Sequence, residues 1–267
     1  MMKIIERVLV LTLVGLITLN IVFIAQYIKK QNMLEENAQE AAELAKARSA
    51  IFERKLKDSA LQIITDVGRG SAIYLDKGIA ISARHVCEIF EKAKSVYLLD
   101  AEKNKIAIDF YEIPKANKDK ELTTDLCVIK FQPKMKYMPI TRIAKGFVSN
   151  IGTKLFNPNY GGGEFYSLRT GEIIADESLK VFTDDCMDFG VFGRVGCEHY
   201  NLYEVKRTSV PGVPGASGSG MITPEGELMG ILVLGAGDNS WSGMVPLAAI
   251  KEYLNKSVLY GLAFNQR

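Results

Sequence analysis

The sequence predicts an all-β domain preceded by a long helical segment. Short apolar stretches typical of strands recur between residues 61 and 234, separated by turn-forming clusters such as Pro224-Glu225-Gly226. The chain after residue 59 is about 200 residues long, enough for two packed hydrophobic cores. Before it, residues 31–59 are rich in Ala, Glu, Lys and Leu and contain neither Gly nor Pro, which favours a helix.

Each element follows from a local pattern. The predicted strands are 61–65, 96–99, 106–110, 165–168, 202–205 and 228–234, and the boundary between the two cores is expected at 145–152. Leu247, Ile250 and Leu254 have helical spacing and predict a closing helix over 246–256. The triplet Gly161-Gly162-Gly163 is interpreted as a mobile loop tip.

The most informative stretch is the glycine-rich run from Val210 to Gly220, in which Ser217 lies between small residues. A serine on such a turn exposes its hydroxyl, and two backbone N–H groups can converge beside it. Acyl transfer needs that combination, although a plain Gly/Ser/Pro loop has the same composition.

Two other residues complete a catalytic set. His85, one of two histidines with His199, follows a predicted strand-turn-strand unit. Asp125 opens an apolar strand, where a carboxylate is costly unless a group such as an imidazole N–H donates to it. The chain order is His, Asp, Ser, with separations of 40 and 92 residues.

This arrangement resembles the trypsin-like serine peptidases of the chymotrypsin fold, over about residues 60–256. Residues 230–235 and 242–247 look most like the Deg/HtrA-type branch. The resemblance implies two consecutive six-stranded antiparallel β-barrels, residues 60–148 and 149–267, with the site between them and a C-terminal helix. It also implies that the chain lacks room for the PDZ domain that such proteins usually carry.

The resemblance implies a role for each site residue. His85 would act as general base and acid, Asp125 would orient it, and Ser217 would be the nucleophile. The N–H groups of Gly215 and Ser217 would form the oxyanion hole. The substrate-binding residues would be Pro211, Leu232, Val233 and Leu234, which predict a pocket for a small or medium apolar side chain rather than Lys or Arg.

Two departures from the family pattern matter. Arg84 stands where a small residue usually precedes the histidine, which affects the packing behind His85, and we expect activity to survive if its side chain points outward. Ala216 replaces the aspartate that pairs with a new amino terminus in digestive enzymes, which predicts that proteolytic trimming does not activate this chain. The alternative function is an inactive peptidase-fold protein that acts as a binding or scaffolding module at the membrane.

Residues 8–28 form a run of 21 residues without a charge. A helix of that length spans the bilayer's hydrocarbon core of about 30 Å, so residues 1–30 are interpreted as a transmembrane signal anchor rather than a cleaved signal peptide. The catalytic domain is then expected outside the cytoplasm, in the periplasm or beyond the cell. Residues 31–59 would be a helical stalk, either a spacer or a self-associating helix.

Four cysteines permit three full pairings. Cys87 and Cys127 are interpreted as small buried hydrophobic residues, whereas Cys186 and Cys197 lie in a presumed polar loop that a disulfide could close. None of the spacings is typical of zinc, so we expect no metal, and no cofactor is indicated. The net charge is only +2, which excludes nucleic acid as an expected partner and leaves a protein or peptide substrate.

Overall fold

A computed structural model describes residues 2–114, 124–133, 139–140, 143–144, 150–163, 165–175, 179–188, 194–236, 238 and 240–264. In residues 2–18, 21–22, 25, 179–188 and 194–204 the backbone alone is described. The chain divides into two compact units, Met1–Phe52 and Glu53–Arg267.

The amino-terminal element is one continuous helix, α1, from Met2 to Ser59. The side chains of residues 26–51 are all exposed. Within the described part of the chain, no helix has an apolar stretch long enough to cross a membrane. The predicted span, residues 8–28, lies largely outside the residues whose side chains are described, and self-association of residues 31–59 stays a prediction.

The first sheet is antiparallel and has the strand order β5-β4-β1-β2-β3-β7-β6. Its core is aliphatic and aromatic, and Ile73, Ile81 and Phe131 are fully buried there. Between β3 and β4 lie the short helix α2 and one 3-10 turn. The bounds are β1 Ala60–Thr65, β2 Arg69–Asp76, β3 Ile79–Ser82, α2 Arg84–Cys87, β4 Val96–Leu99, β5 Lys105–Ile106, β6 Ile108–Glu112 and β7 Cys127–Phe131.

The second sheet is also antiparallel, with the order β10-β11-β14-β13-β12-β8-β9. Its core includes Leu155, Met221 and Met244. Two helices, α3 (Leu247–Lys256) and α4 (Val258–Phe264), follow the last strand. The strands are β8 Lys154–Asn159, β9 Ser167–Glu172, β10 Leu179–Asp188, β11 Arg194–Thr208, β12 Gly220–Ile222, β13 Leu228–Gly235 and β14 Ser242–Pro246.

The predicted mostly-β architecture with a C-terminal helix is confirmed as two antiparallel sheets. Each sheet has seven strands in the described residues, not the six expected. In the first sheet the two-residue strand β5 continues the β4 hairpin; in the second, β10 pairs along most of the long strand β11.

The interpretation of two cysteines as unpaired hydrophobic residues is wrong, because Cys87 and Cys127 form a disulfide. Both residues are fully buried, as expected for small hydrophobic side chains, and the sulfur atoms of a disulfide are as apolar as those of two thiols. The other two cysteines lie on strands rather than in a loop: Cys186 is on β10 and Cys197 on β11, next to the pair Asp185 and Glu198. Their side chains are outside the described part.

Candidate active site

His85 and Asp125 form a two-point contact. Helix α2 begins directly after β3, so its second residue, His85, lies at the end of the first sheet. The ring Nδ1 of His85 lies 2.8 Å from Oδ2 of Asp125, and its backbone N–H donates to Oδ1 at 3.0 Å. The carboxylate thus fixes both the ring and the first turn of α2, where N–H groups lack helical partners.

The two partners differ in solvent exposure. The side chain of Asp125 is 4% exposed, whereas that of His85 is 43% exposed. A buried carboxylate facing one imidazole holds a single ring orientation, while the opposite edge of the ring stays accessible. This is the arrangement that a general base needs.

Arg84 does not project into solvent. Its Nε lies 2.6 Å from Oε1 of Glu88, one helical turn later, and its side chain is only 11% exposed. The ion pair lets a large residue precede His85 without displacing the imidazole from Asp125.

The disulfide lies beside this pair. Cys87 follows His85 by two residues, and Cys127 follows Asp125 by two. The register of β3 with β7 places Ser82 opposite Cys127, so the start of α2 lies next to the strand that follows Asp125. The covalent link therefore joins the two segments that carry the imidazole and the carboxylate.

The loop containing Ser217 packs against the residues just before His85. The carbonyl of Ser217 accepts the N–H of Ser71 on β2 at 2.9 Å. A Cβ added to Gly218 would lie 3.0 Å from the nitrogen of Ala83 and would overlap Ser71 O and Ser82 Oγ. The first and second sheets therefore meet here, and the segment that carries Ser217 lies beside the residues that lead into His85.

Gly218 makes this approach possible, and its substitution gives the first test. Its φ is +90°, and an alanine Cβ would collide with buried backbone and hydroxyl oxygens. We expect Gly218→Ala to lower the free energy of unfolding by about 3 kcal/mol or more. Gly152→Ala is the matched control, because Gly152 has a φ of +88° but none of the described residues comes within 4 Å of the added Cβ. Equal losses in urea unfolding would contradict the packing described.

The N–H groups of Gly215 and Ser217 are available to a ligand. Within the described residues neither donates a hydrogen bond. A turn closed by Ala216 N–H to Val213 O at 3.0 Å shapes the segment, with Gly215 at a φ of +86°. This left-handed conformation suits glycine.

One hydrogen bond fixes the direction of the Gly215 N–H. The carbonyl of Pro214 accepts the N–H of Gly162 at 2.9 Å. Because the C=O and N–H of a trans peptide point in opposite directions, the Gly215 N–H points away from the Gly162 loop. Of the glycine triplet interpreted as a loop tip, Gly161 packs against Val213 and Ala216, whereas Gly162 and Gly163 are exposed.

Ser71 connects both sheets at this point. Its hydroxyl donates to Gly215 O at 2.8 Å and accepts the N–H of Tyr160 at 3.1 Å. Burial raises the pKa of the Tyr160 phenol, and the nearby carboxylate of Asp100 adds to the effect, so this side chain stays neutral. One hydroxyl thus ties the candidate oxyanion loop to β2 and to the end of β8.

Buried, uncharged polar side chains form hydrogen bonds that support the loop of residues 213–217. Asn157 Nδ2 donates to Ser219 Oγ at 2.8 Å, and Ser219 Oγ donates to Ala216 O at 2.6 Å. Asn159 Oδ1 accepts the N–H of Gly161 at 2.8 Å. Both Asn side chains and Ser219 are fully buried. These uncharged hydrogen bonds order the loop around Ala216 without the buried ion pair of the digestive enzymes.

The four predicted substrate-binding residues differ in burial: two are buried and two are half-buried. Leu232 belongs to the core of the second sheet, and its N–H and C=O bond to Ser219 and Gly218. Val233 is buried, whereas Leu234 and Pro211 are half-buried. Of the four predicted substrate-binding residues, Leu234 and Pro211 are therefore the two with accessible surface.

Sequence reasoning missed the residues that hold the site. Ser71, Asn157, Asn159, Gly162 and Ser219 carry most of the hydrogen bonds around the loop. A signal existed for Ser71, since the Gly-Ser-Ala sequence opens the strand-turn-strand unit that leads to His85. The described residues contain no group of three or more His, Cys, Asp or Glu side chains that could bind a metal ion.

The two paired antiparallel sheets, with His85, Asp125 and Ser217 on the segments where they meet, have the architecture of the chymotrypsin fold. Solved structures support this. The Rv3671c protease of M. tuberculosis in its active form matches at a TM-score of 0.56 and 14% identity, over 75% of this chain and 81% of that one. An inactive form matches at 0.55 and 14%, over 75% and 89%. The serine endoprotease of Yersinia pestis matches at 0.53 and 16%, over 77% and 65%.

These matches, at 14% and 16% sequence identity, confirm the predicted fold. No protein-family model and no curated protein matches the sequence.

Proposed function

We propose that the chain is a serine endopeptidase that uses His85, Asp125 and Ser217. The observation that carries the proposal is the 2.8 Å contact between a buried Asp125 and a half-exposed His85, next to the strand whose Ser71 N–H donates to Ser217 O. A scaffold has no need for this dyad, nor for two unpaired N–H groups beside an accessible serine.

The chemistry assigns one role to each group. Asp125 accepts a hydrogen bond from the Nδ1–H of His85, which leaves Nε2 as the base. During attack on the peptide carbonyl, Ser217 Oγ bonds to carbon, and its proton moves to Nε2. The same proton then passes to the leaving amine as the C–N bond breaks, which gives an acyl-enzyme. Water repeats the sequence and releases the acid.

Negative charge develops on the carbonyl oxygen of the scissile bond, and two backbone N–H groups can stabilise it. The N–H groups of Gly215 and Ser217 are free to donate to it, and one such donor is typically worth about 3 kcal/mol in the transition state. The bond from Gly162 to Pro214 orients the first donor before substrate binds. Preorganisation of this kind avoids the cost of reorienting dipoles during the reaction.

The proposal includes attachment to a membrane through residues 8–28, with the protease domain outside the cytoplasm. The support is the uncharged run of 21 residues within the continuous helix α1. A buried disulfide in the protease unit favours an oxidising compartment. Fractionation and protease accessibility of an epitope at residue 267 would test both parts.

Labelling with a fluorophosphonate probe tests the proposed activity. We expect the wild-type chain to be labelled and Ser217→Ala to remain unlabelled, with Ser59→Ala as the control, because Ser59 is fully buried and its hydroxyl bonds to Leu56 O away from the site. A folded wild-type protein that takes up no label would favour the alternative, an inactive binding module.

Substitution of Ser71 tests the orientation of the oxyanion loop. Ser71→Ala removes the donor to Gly215 O and the acceptor for Tyr160 N–H. We expect kcat to fall by about tenfold with KM nearly unchanged, less than the hundredfold typical of losing a donor outright. Ser59→Ala is the control, since this buried hydroxyl bonds only to Leu56 O within α1. A kcat within twofold of wild type would contradict the role.

A further inference from the structure

We propose that this protease selects glycine as the acyl residue, the residue that supplies the carbonyl of the scissile bond. The inference rests on the proposed function and narrows its substrate class. The α-carbon of the acyl residue is bonded directly to the carbon that Ser217 attacks. Its side chain must therefore enter whatever crevice adjoins Ser217.

The fold defines that crevice. Strand β12 begins at Gly220, which pairs with Ile231, so β13 extends beyond β12 over residues 232–235. This extension runs beside the segment that leads to the serine, and Gly218 N–H donates to Leu232 O at 2.7 Å. The walls next to Ser217 are thus residues 211–213 on one side and 233–235 on the other.

The two walls touch, backbone to backbone. A Cβ added to Gly212 would lie 2.6 Å from Gly235 Cα and 3.0 Å from Ser242 Cβ. A Cβ added to Gly235 would lie 2.6 Å from Gly212 O. Nonbonded carbon atoms need about 3.5–4.0 Å. A side chain placed between Gly212 and Gly235 needs that distance on both sides, and their contact leaves no such gap.

Two hydrogen-bonded, buried hydroxyl groups close the floor of the crevice. Thr208 and Ser242 are fully buried, with their hydroxyl oxygens 3.0 Å apart. Thr208 Oγ1 also accepts the N–H of Val210 at 3.2 Å. A deeper extension of the crevice would break these bonds, and these two side chains carry no charge that could attract a basic residue.

The walls cannot separate without disturbing the catalytic loop. Val213 O accepts the Ala216 N–H that closes the turn at Gly215, and Leu232 bonds to both Gly218 and Ser219. A large acyl side chain would move these segments and, with them, the two candidate oxyanion donors. Glycine is the residue that reaches Ser217 without that displacement. The sequence predicts a pocket for a small or medium apolar side chain. The contact between the two walls narrows the accepted acyl residue to glycine, which has no side chain.

Cleavage of matched peptides tests the inference. The full chain in detergent is first labelled with the fluorophosphonate probe to establish that Ser217 reacts. Cleavage sites from a proteome-derived peptide library are then read by mass spectrometry. The best sequence is next resynthesised with Gly, Ala, Leu or Phe as the acyl residue. We expect kcat/KM for Gly to exceed that for Ala by about tenfold and those for Leu and Phe by about a hundredfold.

The outcomes separate the two proposals. Equal or faster cleavage after Leu or Phe overturns the glycine inference and leaves the protease assignment standing. A labelled Ser217 with no peptide cleaved after Gly also overturns it. Absence of both labelling and cleavage rejects the proposed function itself.

Discussion

Asp125→Asn is expected to lower kcat by about 10⁴ while the protein stays folded. The carboxylate accepts two N–H groups of His85, one from the ring and one from the backbone. The asparagine amide nitrogen cannot accept from Nδ1, so the imidazole turns to the tautomer whose Nε2 carries the proton. That nitrogen then cannot take the proton of Ser217, and the first step fails.

Peptide hydrolysis by wild type and variant, at equal folded concentration, measures this effect. KM should change little, because Asp125 is buried behind His85 and does not face substrate. Asp100→Asn is the control: Asp100 is equally buried in the same sheet but bonds to Asn104, so its kcat should stay near wild type. A loss of less than tenfold in Asp125→Asn would show that Asp125 does not set the tautomer.

The double variant Cys87→Ala with Cys127→Ala is expected to lose about 4 kcal/mol of unfolding free energy. The disulfide closes a loop with a sequence separation of 40, so its removal frees a large part of the unfolded chain. Activity should fall too, because the link joins the segments that carry His85 and Asp125.

Urea unfolding of the oxidised wild type, the reduced wild type and the double variant separates cross-linking from packing. The reduced protein keeps both sulfur atoms in the core, so it isolates the cross-link from the volume lost in the variant. We expect reduction alone to cause most of the loss. An oxidised wild type that unfolds at the same urea concentration as the reduced protein would contradict this.

The elements predicted best were those with a strong local pattern. Strand β4 has the predicted bounds, and β1, β13 and α3 differ from theirs by one residue at one end. Strands β10 and β11 were largely missed, because acidic residues and glycine interrupt the alternation that marks a strand. There the backbone pairing of a long hairpin overrides local composition.

The residues of the candidate site also fall into two groups, those with a local sequence signal and those without one. His85, Asp125 and Ser217 stand out because their residue types are costly or conspicuous in their local contexts. The roles of Ser71 and Asn157 could not be predicted in this way, because a polar residue within a strand does not show which loop it contacts. The approach of Gly212 to Gly235 depends on segments 23 residues apart and has no local signature.

The distance between Ser217 Oγ and His85 Nε2 in a crystal structure of the chain would decide whether the three side chains form a triad. We expect a separation of about 3 Å, with the Asp125 contact preserved on the opposite edge of the ring. A serine oxygen directed away from the imidazole and beyond hydrogen-bonding reach, with His85 still held by Asp125, would contradict that expectation.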